Sequence, residues 1–223
     1  MAALQVLFED NHLLVLDKPA GCATMGTQGE GSLWNQAKVY LKQKYQKPGN
    51  VYLGVVSRLD SLVSGVVVFA RTSKAADRLC RMFRERDVSK TYWAVVAGSP
   101  HPATGEWTDW MAPHPNLPRM AVAGPQAEGA KEARLKYRTL HITPKGTALE
   151  FELITGRKHQ IRVQCAHHGH AVLGDRKYGS SVPFSSGIAL HARRLALEHP
   201  VRHEPLEFIA PLPPSWQPLR FEP

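Results

Sequence analysis

The run Val66-Val67-Val68-Phe69-Ala70 is unbroken in its apolar character and rich in β-branched residues. It reads as a strand. Successive strand side chains point to opposite faces, so a run without polar alternates has to be covered on both sides. Helical segments stand ready around it. Ser32 can cap a helix on which Leu33, Ala37, Tyr40 and Leu41 share a face, and Pro48-Gly49-Asn50 stops that helix. Ser73 is placed to cap a second helix with Ala76, Leu79, Cys80 and Phe83 inward and Arg78, Arg81, Arg84 and Arg86 on the other side.

The remaining pattern is mostly strand. Leu4 to Phe8 and Leu13 to Leu16 form a hairpin around Glu9-Asp10-Asn11-His12, closed by Lys18-Pro19-Ala20-Gly21. Val51 to Val56, Thr91 to Val96 and Ala189 to Leu197 are further strands. Arg134 to Ile142 and Ala148 to Ile154 pair through Pro144-Lys145-Gly146. Pro100 to Gly129 is rich in Pro, Gly and Ala and predicts a long irregular excursion. Lys158 to His168 suits a helix, and the proline-rich tail 205–223 is expected to wrap the surface. The simplest class is α+β: a mixed, largely antiparallel central sheet flanked by helices and loops, in a single domain over 1–223.

Charge narrows the partner. Lys and Arg number 28 against 19 Asp and Glu, a formal net charge of +9, which favours a polyanion such as nucleic acid. No run approaches the length of a membrane span, and no secretion signal opens the chain. Cys22, Cys80 and Cys165 are too few and too scattered for a disulfide framework, which points to a reducing cytoplasm.

The chemistry concentrates in a few places. Asp60, preceded by Arg58, sits just before the apolar strand. A carboxylate near a guanidinium favours its ionised, nucleophilic form, although most such pairs are structural. Thr155-Gly156 can turn the chain and aim Arg157 inward. Tyr92 offers a ring that can stack on a base and a hydroxyl that can move a proton, while core packing explains it equally well by pattern. Cys165, His167, His168 and His170 are zinc-ligand types, but Cys165 and His167 point apart on a helix, so no metal site is expected. The stretch Gly26-Thr27-Gln28-Gly29-Glu30-Gly31 lacks the flanking pattern of a phosphate loop, and no nucleotide cofactor is expected.

In order, these segments resemble the RluA family of RNA pseudouridine synthases. The family's Lys-Pro-x-Gly turn matches Lys18-Pro19-Ala20-Gly21. Its His-Arg-Leu-Asp-x-x-Thr-Ser-Gly signature matches Ser57 to Gly65, with Ser57 and Val63 departing from it. Lys90-Thr91-Tyr92 matches Lys-x-Tyr, and Thr155 to Arg162 matches Thr-Gly-Arg-x-His-Gln-Ile-Arg. Gly174-Asp175, Tyr178-Gly179, Leu190-His191-Ala192, His199-Pro200 and Ala210-Pro211-Leu212-Pro213 also fit. Gln164-Cys165 stands where His-Leu is usual, and Ala171 where proline is.

The resemblance implies a cofactor-free isomerisation of uridine to pseudouridine in structured RNA, ribosomal or transfer, after the base leaves its stack. It implies Asp60 as nucleophile, whether by attack on the ribose or by promoting loss of its 2′ proton. Tyr92 would stack on the base and carry the proton, and Arg157 would orient Asp60 and keep it charged. Arg58 would fill the vacated space and hold phosphate, Ile154 or Ile161 would line the uracil wall, and Lys90 would bind backbone phosphate. A monomer is expected, without a separate S4-like RNA-binding domain. Two other readings stand beside it: an RNA-binding or RNA-folding protein with little catalysis, and a metal-dependent hydrolase built on the histidines.

Overall fold

The computed structural model describes residues 4–26 and 31–220. Along the chain run β1 (Gln5–Glu9), β2 (Leu13–Lys18), α1 (Leu33–Lys44), β3 (Gly54–Val55), β4 (Ser64–Ala70), α2 (Ser73–Glu85), β5 (Val88–Val96), β6 (Thr104–Pro113), β7 (Met120–Val122), β8 (Lys131–Thr143), β9 (Gly146–Leu153), α3 (Gln160–His167), β10 (Leu190–Glu198) and β11 (Pro205–Ile209). The class is the expected one, α+β with a mixed, mostly antiparallel sheet and few helices. Residues 27–30 of the glycine-bearing stretch, and the last three residues of the tail, 221–223, lie outside the described residues. The chain folds into two compact units, 1–90 with 192–212 and 91–191 with 213–223.

The first unit is organised by β4, in which every residue is buried. Its two faces feed separate cores, as the apolar run demands. Val66, Val68 and Ala70 join Leu13, Val15, Leu79, Leu195 and Phe208. Val67 and Phe69 join Leu14, Leu16, Leu33, Ala37 and Leu41. Each Val, Leu or Phe side chain among them contributes about 1.5–3 kcal/mol by leaving water, so β2 and β4 are the stable centre of the unit. They pair antiparallel from Leu13 opposite Ala70 to Lys18 opposite Gly65. Gly65 cannot be replaced: at φ +112° a Cβ there would lie 2.2 Å from the carbonyl oxygen of Ala192.

Ser32 caps α1 as expected, its side chain accepting from the Asn35 N–H. For α2 the cap is Thr72, one residue earlier than expected, because Thr72 is the last extended residue and its side chain accepts from the Ala75 N–H. The helix then turns Ala75, Ala76 and Leu79 inward, and Cys80 is exposed. Of Val51 to Val56 only Gly54 and Val55 pair, with Ala70 and Phe69.

The second unit is an antiparallel array in the order β5, β9, β8, β6, β7. Here the expected irregular excursion is overturned. Thr104 to Met111 pairs in continuous register with Arg138 to Lys131, and β7 turns back on β6. Trp107 and Met111 on β6 are buried, so β6 has the periodicity of a strand, obscured by the Pro, Gly and Ala around it. In the first unit, the tail also contributes a strand, β11, paired with β10 from Pro205 to Ile209. Helix α3 begins at Gln160 rather than Lys158, because His159 takes the left-handed conformation at φ 58°.

Candidate active site

Asp60 lies half-buried in the loop between β3 and β4, and its neighbours on both sides are tied down. Thr24 makes a reciprocal pair with Leu59: its Oγ1 donates to the Leu59 carbonyl at 2.9 Å and accepts the Leu59 N–H at 3.1 Å. On the other side, the Ser61 carbonyl accepts the Gly21 N–H at 2.8 Å and the Lys18 ammonium at 3.2 Å. The Val63 N–H closes the turn on the Asp60 carbonyl at 3.1 Å. A carboxylate between two anchored residues has little backbone freedom left. Arg58 is exposed on the same loop.

The anchor is Lys18. Its side chain has no solvent exposure, and its ammonium donates to the carbonyls of Pro19 at 3.0 Å and Cys22 at 2.7 Å as well as to Ser61. Three carbonyls match the three donors of an ammonium. Burial lowers its pKa to about 8, against the opposing pull of Cys22, Asp60 and Asp17. Asp17, beside it, is pushed up to about 6 by burial, with Lys18 opposing. The Lys-Pro-x-Gly match marked this segment only as a turn. A lysine closing a strand that opens with four apolar residues, Leu13 to Leu16, was the available sign that the side chain is used inside.

The first unit also ends at Lys90, half-buried, whose pKa is lowered by burial and then by the nearby Arg86. Arg81, Arg84 and Arg86 are exposed.

The second unit carries Tyr92, Ile154, Arg157 and Ile161. Tyr92 is half-buried on β5 opposite Phe151 of β9. The next residue, Trp93, is buried, and its indole N–H donates to Glu150 at 3.0 Å. Ile161 is buried at the start of α3, and Ile154 is half-buried at the end of β9. Arg157 is half-buried in the turn between them, and its Nε–H donates to the Glu132 carbonyl at 2.7 Å. Gln160, which sequence reasoning passed over, bonds the turn from inside, its Oε1 accepting the Arg157 N–H at 2.9 Å.

Behind this turn, Arg162 and Asp175 form a buried two-point ion pair, Nε to Oδ2 at 2.6 Å and Nη2 to Oδ1 at 2.9 Å. It holds α3 to the Gly174-Asp175 turn. His167 and His168 reach Asp109 at 3.9 and 3.1 Å, and His168 stacks on Trp107. Cys165 is buried, which pushes its thiol pKa up. Among the described residues no group of three or more His, Cys, Asp or Glu could hold a metal ion, and no helix is long and apolar enough to cross a membrane.

Comparison with known proteins agrees with these motifs. The family model for RNA pseudouridylate synthase matches residues 12–167. The ribosomal large subunit pseudouridine synthase D of Xanthomonas campestris is 37% identical, over 97% of this chain and 68% of its own length. The dual-specificity RNA pseudouridine synthase RluA of Escherichia coli is 34% identical over 93% of both chains. In structure, the chain resembles Human RNA Pseudouridylate Synthase Domain Containing 4, with a TM-score of 0.81 and 25% identity over 98% of this chain and 94% of that one. With a family model across well over half its length, and relatives above 30% identical across nearly all of it, the chain belongs to the RNA pseudouridylate synthases and is an RNA-modifying isomerase.

Proposed function

We propose that this enzyme isomerises particular uridines of ribosomal or transfer RNA, with Asp60 as nucleophile and the target base flipped out of its stack. The reaction breaks the bond from C1′ to N1 and makes one from C1′ to C5. C5 gives up its proton and N1 gains one from solvent, so no oxidant, metal or energy source enters the balance. The observation that carries the assignment of Asp60 is its placement. Both chain neighbours are hydrogen-bonded to the Lys18–Thr24 segment, and a buried ammonium lies close enough for Asp60 to oppose its loss of charge. A fixed nucleophile retains its attack geometry without an entropic cost at each turnover.

Tyr92 is assigned to stacking and proton transfer, Arg157 to counter-charge for the nucleophile, and Ile154 and Ile161 to the apolar wall for uracil. Arg58 is assigned to the space left by the base. Lys90 and the exposed arginines of α2 are assigned to backbone phosphates. The crowding of Lys90 by Arg86 supports this last role, because a phosphate relieves repulsion between two cations. We also propose that the two units act as one catalytic domain, and that the protein works as a cytoplasmic monomer whose three free thiols stay reduced.

The test is tritium release from RNA carrying C5-tritiated uridine, using wild type and Asp60→Ala. Release by wild type alone, with RNA binding retained by the variant, supports the reading. Equal release by both removes Asp60 from the chemistry.

A further inference from the structure

We propose that Gln160 is a positioning residue that sets the direction of the Arg157 guanidinium; this rests on Arg157 having a part in catalysis. Gln160 is 3% exposed, and three hydrogen bonds engage its side-chain amide. Its Oε1 accepts the Arg157 backbone N–H at 2.9 Å and the Thr155 hydroxyl at 2.8 Å. Its Nε2 donates to the Arg134 carbonyl at 3.0 Å. Its own backbone N–H returns to the Arg157 carbonyl at 3.1 Å.

One residue therefore takes both backbone polar groups of Arg157 and ties the turn to β8. The Thr155 hydroxyl strengthens the attachment by accepting the Arg134 N–H at 2.8 Å. The side chain of Arg157 is then fixed a second time, where its Nε–H meets the Glu132 carbonyl, also on β8. A guanidinium held at its Cα and at Nε has its plane decided, and the two terminal amino groups are the part presented to a carboxylate or phosphate. A neutral amide does this without adding a charge that would compete with the arginine for the anion.

The experiment uses the full chain and two variants. Gln160→Met keeps the shape and removes every amide contact. Gln160→Glu makes all three contacts only while protonated, since the acid O–H replaces Nε2–H toward Arg134. For Gln160→Met, kcat for tritium release is expected to fall about a hundredfold with KM within about twofold, the cost of a small misplacement. Gln160→Glu is expected to recover most of kcat near pH 6 and lose it as the acid ionises, while wild type stays flat over the same range. In an Arg157→Lys background the methionine change is expected to cost little more, because residues acting as a unit are not additive.

The second readout is the Arg157 Nε–H resonance in protein labelled with nitrogen-15 arginine. It is expected to be resolved and slow to exchange in wild type and lost in Gln160→Met. An unchanged resonance overturns the proposal, as does an undiminished loss of kcat in the Arg157→Lys background. If wild type releases no tritium from any RNA, the catalytic roles fail, and the resonance alone still decides whether Gln160 sets Arg157.

Discussion

The loop of Asp60 and the turn of Arg157 solve the same problem with different chemistry. Each has to hold a charged side chain on irregular backbone, where no strand or helix ladder fixes the main chain. At Asp60 the fastening is a buried cation, Lys18, donating to three carbonyls. At Arg157 it is a buried neutral amide, Gln160. The sign of the charge explains the choice. A cation attracts a carboxylate, whereas it would repel a guanidinium. The consequence is that one fastening titrates and the other does not.

The largest effect expected on that comparison comes from removing the held group itself. Asp60→Ala should lower tritium release by roughly a thousandfold or more, as loss of a nucleophile does, while a melting curve stays close to wild type. Next is the cation. Lys18→Met should destabilise the protein by roughly 2–4 kcal/mol in urea unfolding, since three carbonyls lose the charged donor they share, and take activity with it. Stability close to wild type would show that the cage is not structural.

pH sharpens the contrast. With Lys18 at about 8 in the folded protein against an ordinary lysine value of 10.5, the folded state binds fewer protons between those values. Linkage then makes its titration favour folding as pH rises through that window. The ammonium nevertheless loses one of its donors there. Activity should therefore fall above about pH 8 while the melting temperature does not fall from this cause. Parallel loss of both would contradict this account.

Asp17 has the opposite sense. Its folded pKa of about 6 exceeds the ordinary aspartate value of 3.8, so its contribution is present below 3.8 and lost as pH rises through 6. Asp17→Asn should stabilise by on the order of 1 kcal/mol at pH 8, discounted for partial solvent access, with no gain at low pH. It should also move the alkaline fall in activity to lower pH, because Lys18 loses an anion that supports its charge. The smallest effect belongs to the surface. Arg81→Ala should leave kcat unchanged and reduce the salt slope of RNA binding by about 0.7–0.9, one phosphate contact.

The motif residues were legible because chemistry restricts them: Asp60, Tyr92 and Arg157 stand in short patterns whose order along the chain is rare by chance. The strand β4 was legible because seven consecutive small and apolar residues have no other stable use. The region from 100 to 129 was misread for a physical reason. A strand's hydrogen-bonding partners lie elsewhere in the chain, and β6 becomes regular only because Lys131 to Arg138 comes to pair with it. Lys18 and Gln160 were missed as anchors for a related reason. A polar side chain is costly to bury until its partners are in place, and those partners are main-chain carbonyls and amides that carry no sequence label.

The sequence alone determined the family, the α+β class, the buried strand and the residues to which the chemistry is assigned. These follow from side-chain identity and local periodicity. Tertiary structure decided which polar groups are buried and what they hold, and with that the conversion of one lysine into a three-carbonyl anchor and one glutamine into a clamp. Such roles depend on the desolvation of a group and the distance to its partners, and both quantities exist only once the chain has packed.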